Sequence, residues 1–430
     1  MKKALIFFAI TFLFIPLVVT DARGNDVAQV QQDLAALRAQ FNEMRVSYEA
    51  RIDQLETKIV DLQKTYSVQS IRSQVAPSVQ PQTTSLGRYF QSFNPDVSVI
   101  GDFTYHATDS KDTDFRNQFQ MRQTELAFSA SVDPYARGDF FFHVEQEDGE
   151  WHIGLCEGYL TLLTLPIDGL QAKVGKFKVE FGKANKLHLH NLPWVDYPNM
   201  ITDYFGEEGM SEPGVSASYL IPNPWNKYIE LTGQVVNNRN GVSFAGAEGT
   251  SLVYLGHLKC FHDINEASTI ELGTSLATGP NDSGLGRFGS DMTTLEGVDL
   301  TYKWRPLKQG LYKSVTFQNE LLFSQHNRPF FDDGTDIIDA KNINSWAGYS
   351  SLEYQFAKRW SVFGRYDFSE FPTTSSSREN AYSTGITFAQ SEYCFWRLQF
   401  KQTDRNFDKN SSEVWLQCDF GLGPHRKHDY

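Results

Sequence analysis

From residue 96 onward, apolar and polar positions alternate in short segments bounded by turn residues, the period-2 signature of strands with one apolar face. Trp396, Leu398 and Phe400 fall on one face, and Arg397, Gln399 and Lys401 on the other. Val414, Leu416, Cys418 and Phe420 oppose Glu413, Gln417 and Asp419, while Phe317, Leu321 and Phe323 oppose Thr316, Gln318 and Glu320. Sixteen strand cores are read this way, from 97–107 to 413–421. No long amphipathic helix interrupts them.

Alternation alone fits a sandwich as well as a barrel. Connection length separates the two. Counted between strand cores, the odd-numbered connections run from 8 to 34 residues and the even-numbered ones from 3 to 10. A transmembrane barrel has short periplasmic turns and longer external loops, whereas a sandwich has no reason for such parity. The fold class predicted is therefore an all-β transmembrane barrel of about sixteen antiparallel strands over 96–430. Barrels of that strand number leave a water channel. Neither the length nor any domain before the strands suits a plugged twenty-two-stranded barrel.

The pattern before residue 96 differs. Lys2 and Lys3 lead an apolar run to Val19, then Ala22-Arg23-Gly24 supplies a small-x-small exit, so 1–24 reads as a signal peptide. Val30, Leu34, Leu37, Phe41, Met44, Tyr48, Ile52, Leu55, Ile59, Leu62 and Tyr66 then recur at spacings of three and four, with one stutter at Tyr48. This predicts an α-helical coiled coil over 25–66, periplasmic and meeting copies of itself. The Ser-, Gln- and Pro-containing stretch that follows makes 67–95 a linker. Location in the outer membrane of a Gram-negative cell follows.

Composition sharpens this. Aromatics make up 14% of the chain against a mean hydropathy of -0.40. A polytopic helical membrane protein would need repeated apolar runs of about 20 residues, and only the extreme N-terminus approaches one. Aromatic girdles on a barrel whose lumen is polar satisfy both figures. The net charge of -13 includes +2 from 1–24 and 0 from 25–95, which leaves -15 on the barrel.

The longest connection, 178–211, follows the fifth strand and is the third external loop, the one that folds inward in sixteen-stranded porins. Its charged and titratable residues are the candidate pore constriction: Lys178, Glu180, Lys183, Lys186, His188, His190, Asp196, Asp203, Glu207 and Glu208. Leading into it, Val174-Gly175-Lys176-Phe177-Lys178-Val179-Glu180-Phe181-Gly182 resembles a segment of the phosphate-selective porin O/P family. The overall plan, with an N-terminal coiled coil and a long loop after strand five, is similar too. The resemblance implies a trimeric outer-membrane porin, embedded in outer-membrane lipids. The barrel's acidity points away from phosphate, toward passive passage of small hydrophilic solutes in general or of cations.

Two histidine pairs invite a metal. His188 and His190 stand two apart in an extended segment, and His425 and His428 close the chain. Neither pair supplies the donors of a structural zinc site, so no cofactor is expected beyond weak divalent-metal binding. The Gly-Pro-His-x-x-His ending is similar to uncharacterised outer-membrane proteins linked with zinc supply, which gives metal uptake as an alternative function. Tethering of the envelope to the cell wall through the coiled coil is another. No nucleophile elbow, HExxH or phosphate loop occurs, and no enzyme or nucleic-acid partner is expected. Cys394 and Cys418 take the apolar-face parity, with Cys394 expected opposite Leu422.

Overall fold

The computed structural model describes residues 95–423 apart from 111–115, 148–149, 241, 245–251, 282–291, 311, 333–335 and 375. The expected signal, coiled coil and most of the linker lie outside the described residues, as do His425 and His428.

The strands are β1 Asp96–Thr108, β2 Gln118–Asp133, β3 Ala136–Glu147, β4 Glu150–Leu162, β5 Leu170–Lys178, β6 Ser211–Leu220, β7 Tyr228–Asn237 and β8 Leu252–Asn265. They continue with β9 Ser268–Pro280, β10 Met292–Trp304, β11 Ser314–Asp332, β12 Asp336–Ala357, β13 Trp360–Glu370, β14 Arg378–Ser391, β15 Cys394–Arg405 and β16 Ser411–Leu422. Each pairs antiparallel with its sequence neighbours, and β1 pairs with β16 from Val99↔Leu422 to Thr108↔Glu413. The sheet is a closed barrel of sixteen strands. Closure leaves no unpaired edge, the condition under which strands can cross a membrane.

The pleat sorts the side chains as the alternation requires. Trp396, Leu398, Phe400, Val414, Leu416 and Phe420 are exposed on the outside, whereas Arg397, Gln399, Gln417 and Asp419 are buried within. Those inner polar groups are covered although they face a lumen, because a segment of the chain fills much of it.

Two features depart from the expected layout. The expected connection over 325–344 is mostly strand: β11 and β12 stay paired out to Asp332↔Asp336. The pairing runs through Asn327↔Asn342 and Arg328↔Lys341. The other is the cysteine register. Cys394 faces Phe420, and Cys418 faces Trp396, two positions from the expected alignment, because the hairpin closes at Thr403↔Ser411. The four cysteines are free thiols.

Two β-bulges matter for the interior. Between β1 and β2, Asp102 faces Gln123 and Phe103 faces Met121, which leaves Arg122 as the extra residue. Between β3 and β4, Phe141 faces Glu157 and Phe142 faces Leu155, which leaves Cys156. A bulge lets two consecutive side chains share one face. Arg122 joins Gln123, and Cys156 joins Glu157, on the inner wall.

Gly175 sits at φ 141 within β5, and a Cβ there would lie 2.2 Å from the Gly158 carbonyl oxygen and 2.6 Å from Tyr159 Cα. Only glycine allows this close approach of β4 and β5. Gly175→Ala is expected to destabilise the barrel by about 1–3 kcal/mol. Gly233→Ala, whose Cβ meets nothing within 4 Å, should be near neutral. Heat-modifiability on gels reads the difference; equal unfolding temperatures for the two variants would contradict this account.

Candidate constriction site

The chain leaves β5 at Lys178 and returns at Ser211, and the segment between turns into the barrel. It contains 3₁₀ turns at Ala184–Lys186 and Leu189–Asn191 and one short helix, α1, at Asn199–Phe205. Its apolar residues form a core of their own against the inner wall. Phe181, Trp194, Ile201, Tyr204 and Phe205 cluster with Leu255, Leu295, Leu322, Tyr349 and Phe363. Burial of each large apolar side chain stabilises this docking by about 1.5–3 kcal/mol.

Irregular backbone inside a barrel must find hydrogen-bond partners outside itself. The wall supplies them. Glu157 accepts from the Lys178 amide (2.8 Å), Gln234 from Glu180 (2.9 Å) and Ser275 from Gly182 (3.0 Å). The Glu320 carboxylate accepts from Lys183 (3.0 Å) and Ala184 (2.7 Å), and Gln399 from Val195 (2.9 Å). Gly182 (φ 60) is required at this point, since a Cβ would lie 2.0 Å from the Glu320 carboxylate.

Three arginines from the wall converge on three successive carbonyls. Arg397 donates to the Trp194 oxygen (2.8 Å), Arg122 to Val195 (2.8 Å) and Arg365 to Asp196 (2.9 Å). Arg365 also lies 4.8 Å from the centre of the Trp194 ring, whose edge meets Tyr349. Trp194-Val195-Asp196 is the anchor of the segment.

Apart from Glu180, the basic titratable residues of the segment come first and the acidic ones later, and the wall answers with opposite charge except around Asp203. In the first half, Lys178 Nζ donates to the Glu208 carbonyl (2.5 Å) and to Tyr197 (3.2 Å). Lys183 pairs with Glu271 at 2.9 Å, and Lys186 with Glu180 at 2.7 Å. His188 is held between Glu125 (2.7 Å) and Glu157 (2.6 Å), while His190 lies 3.8 Å from Glu125. In the second half, Asp196 meets Lys401 (2.7 Å), Arg365 (3.1 Å) and Gln399 (2.7 Å). Asp203 lies on α1 among acidic wall groups; Glu207 is exposed; Glu208 accepts from Gln123 (3.0 Å).

Burial and these partners shift the segment's titrations. Although desolvation opposes it, the Glu125 and Glu157 carboxylates hold the His188 imidazole well above its usual range. Burial works against the Asp196 carboxylate too, yet Arg365 and Lys401 keep it below the ordinary range. Desolvation, then Glu379, pushes Asp203 up to about 7.

Beside the segment lies a cavity of about 960 Å³, reaching toward the barrel end where β1 begins. Five acidic residues (Asp96, Asp139, Glu157, Glu180 and Glu230) and five basic ones (Arg137, Lys173, Lys178, Lys186 and Lys259) line it. Of the ten candidates, then, only Lys178, Glu180 and Lys186 line this cavity; Glu207 and Glu208 are exposed elsewhere, and the others are engaged by the wall. Both His188 nitrogens are occupied by carboxylates, so the geometry does not present His188 and His190 as a free chelating pair. The wall residues Glu125, Glu157, Glu320, Arg122, Arg365 and Arg397 escaped the sequence reading. Their only signal was a charge on the polar face of a strand.

No known family profile matches the sequence. An uncharacterised protein of Aquifex aeolicus (strain VF5) is 26% identical over 396 residues, covering 79% of this chain and 81% of that protein. Among solved structures, OprB of Pseudomonas putida has a TM-score of 0.52 at 9% identity, over 79% of this chain and 96% of that one. The outer membrane channel DcaP of Acinetobacter baumannii has a TM-score of 0.50 at 12% identity, over 76% and 96%. A loop-deletion form of OmpT, an outer membrane protein of Vibrio cholerae, has 0.50 at 9%, over 76% and 100%. At these identities the likeness is one of fold, a closed antiparallel β-barrel.

Asp203 gives a pH prediction. Its folded pKa is raised above the unfolded value of about 3.9, so its contribution to docking is greatest in acid and falls as pH rises toward about 7. His188, with a raised folded pKa, keeps its contribution until pH rises through that elevated value. Hydrogen exchange of α1, corrected for intrinsic rates, should show protection falling between about pH 4 and 7. In Asp203→Asn the fall should disappear; an unchanged slope would count against the assignment.

Proposed function

We propose that this protein is an outer-membrane porin through which small hydrophilic solutes and ions diffuse passively. The observation that carries the reading is the inward-docked segment beside a charged cavity, within a closed barrel whose outer face is apolar. Fixed charges in a narrow passage sort ions by sign. Here the lining balances five acids against five bases, so its own preference is weak. The exposed Glu207 and Glu208 and the charge of -15 on 96–430 tilt the passage toward cations. The wall arginines Arg122, Arg365 and Arg397, the groups that would favour anions, are engaged by the segment's carbonyls and by Asp196.

The narrowing is assigned to 178–211, with Lys178, Glu180 and Lys186 nearest the permeating solute. Self-association into a trimer, through the heptad seam over 25–66, belongs to the same proposal. The outside apolar rows would then face either lipid or a neighbouring barrel.

Planar-bilayer recording of the purified protein tests it. Discrete ohmic conductance steps are expected, with a reversal potential of cationic sign and modest size across a tenfold potassium chloride gradient. Asp196→Ala, which removes the partner of Arg365 and Lys401, should raise the conductance and its noise. Strong anion selectivity would overturn the selectivity reading, and the absence of steps would overturn the porin itself.

A further inference from the structure

A cluster of three chemically different donors borders the cavity without lining it: Cys156 precedes the lining residue Glu157, and the Glu208 carbonyl accepts from the lining residue Lys178. His143 is on β3, Cys156 is the bulge residue of β4, and Glu208 is on the returning limb of the inward segment. Their ligand atoms all lie within 4.8 Å of one another. His143 Nδ1 is 3.1 Å from Cys156 Sγ and 3.9 Å from Glu208 Oε2. We propose that His143, Cys156 and Glu208 bind one soft divalent cation of the zinc class, which staples the returning limb of the segment to the β3–β4 wall.

The spacing suits such an ion. Metal–sulfur bonds of about 2.3 Å and metal–nitrogen or metal–oxygen bonds of about 2.0–2.2 Å place tetrahedral ligands about 3.3–3.8 Å apart. Rotation of the Glu208 side chain, which is 48% exposed, brings its carboxylate into that range, and the 3.1 Å His143–Cys156 pair needs to open by about half an ångström. A sulfur–nitrogen–oxygen set selects zinc or cobalt over magnesium and calcium, which take oxygen ligands.

Two neighbours already orient the donors as outer partners do in metal sites. Glu145 lies 3.2 Å from His143 Nε2, which turns Nδ1 toward the thiol. Gln123 donates to Glu208 Oε1 at 3.0 Å, which leaves Oε2 for the ion. Without the bulge, the residue before Glu157 would face outward, so the bulge is what brings the thiol to the site. The exposure of Glu208 provides a route for the ion and leaves a fourth position for water. The inference stands independently of the porin reading, because binding is measured without flux.

Cobalt(II) alone, added to the full reduced chain folded in detergent, is the probe. One equivalent is expected to produce a thiolate-to-cobalt absorption band in the near ultraviolet, displaced by zinc(II). Histidines elsewhere, His425 and His428 included, carry no sulfur and give no such band. Cys156→Ser should abolish it, and Cys418→Ser should leave it unchanged. Glu208→Gln, at an exposed position that spares the barrel, should weaken cobalt binding at least tenfold. No band in the folded wild type, a band retained in Cys156→Ser, or wild-type affinity in Glu208→Gln would each refute the site. The last holds even where Cys156→Ser fails to fold.

Discussion

The interior depends on charge complementarity between the inward segment and the wall at a few buried ion pairs. Lys178, Lys183, Lys186 and His188 come first, and the wall offers Glu125, Glu157, Glu271 and Glu320. Asp196 comes later, and there Arg365 and Lys401 await it. Buried charges are tolerated only when paired and hydrogen-bonded, so reversing the segment or shifting its register would strand several of them. Burial of Trp194, Phe181 and Tyr204 holds the segment in; the ion pairs decide where it sits. Ion pairs supply this specificity better than they supply stability.

The same groups do a second job. Glu320 accepts from two successive amides of the segment and from the Tyr349 hydroxyl. Arg365 is both the partner of Asp196 and a donor to its carbonyl. A wall that satisfies backbone as well as charge leaves the segment little alternative structure, which suits a fixed constriction more than a freely swinging gate. Under the proposed function, the passage would take its local charge from the few residues the wall leaves to the cavity, Lys178, Glu180 and Lys186 among them.

Much of the barrel was legible because lipid and water impose a period of two on every strand, and sixteen such segments close without an edge. The place of the constriction was legible in loop length, and its polarity could have been read from the order Lys183, Lys186, His188, then Asp196, Asp203, Glu207. What stayed hidden is informative. The bulges at Arg122 and Cys156 shift the alternation by a single residue, too little to separate from noise in one strand. The extension of β11 and β12 into 325–344 was hidden because Pro329, Gly334 and several Asp and Asn residues there read as turn formers. The engagement of His188 by Glu125 and Glu157 depends on residues more than thirty positions away, on strands whose polar face gave no clue to its partner.

The central claim is that the docked segment, and not the barrel wall, sets the width of the passage. Exclusion of graded neutral polymers from single channels measures that width directly. The intact protein should exclude polymers that enter a variant lacking 184–207, with a clear upward step in the size limit. The same limit in both proteins would contradict the account, since the segment could then not be what narrows the lumen.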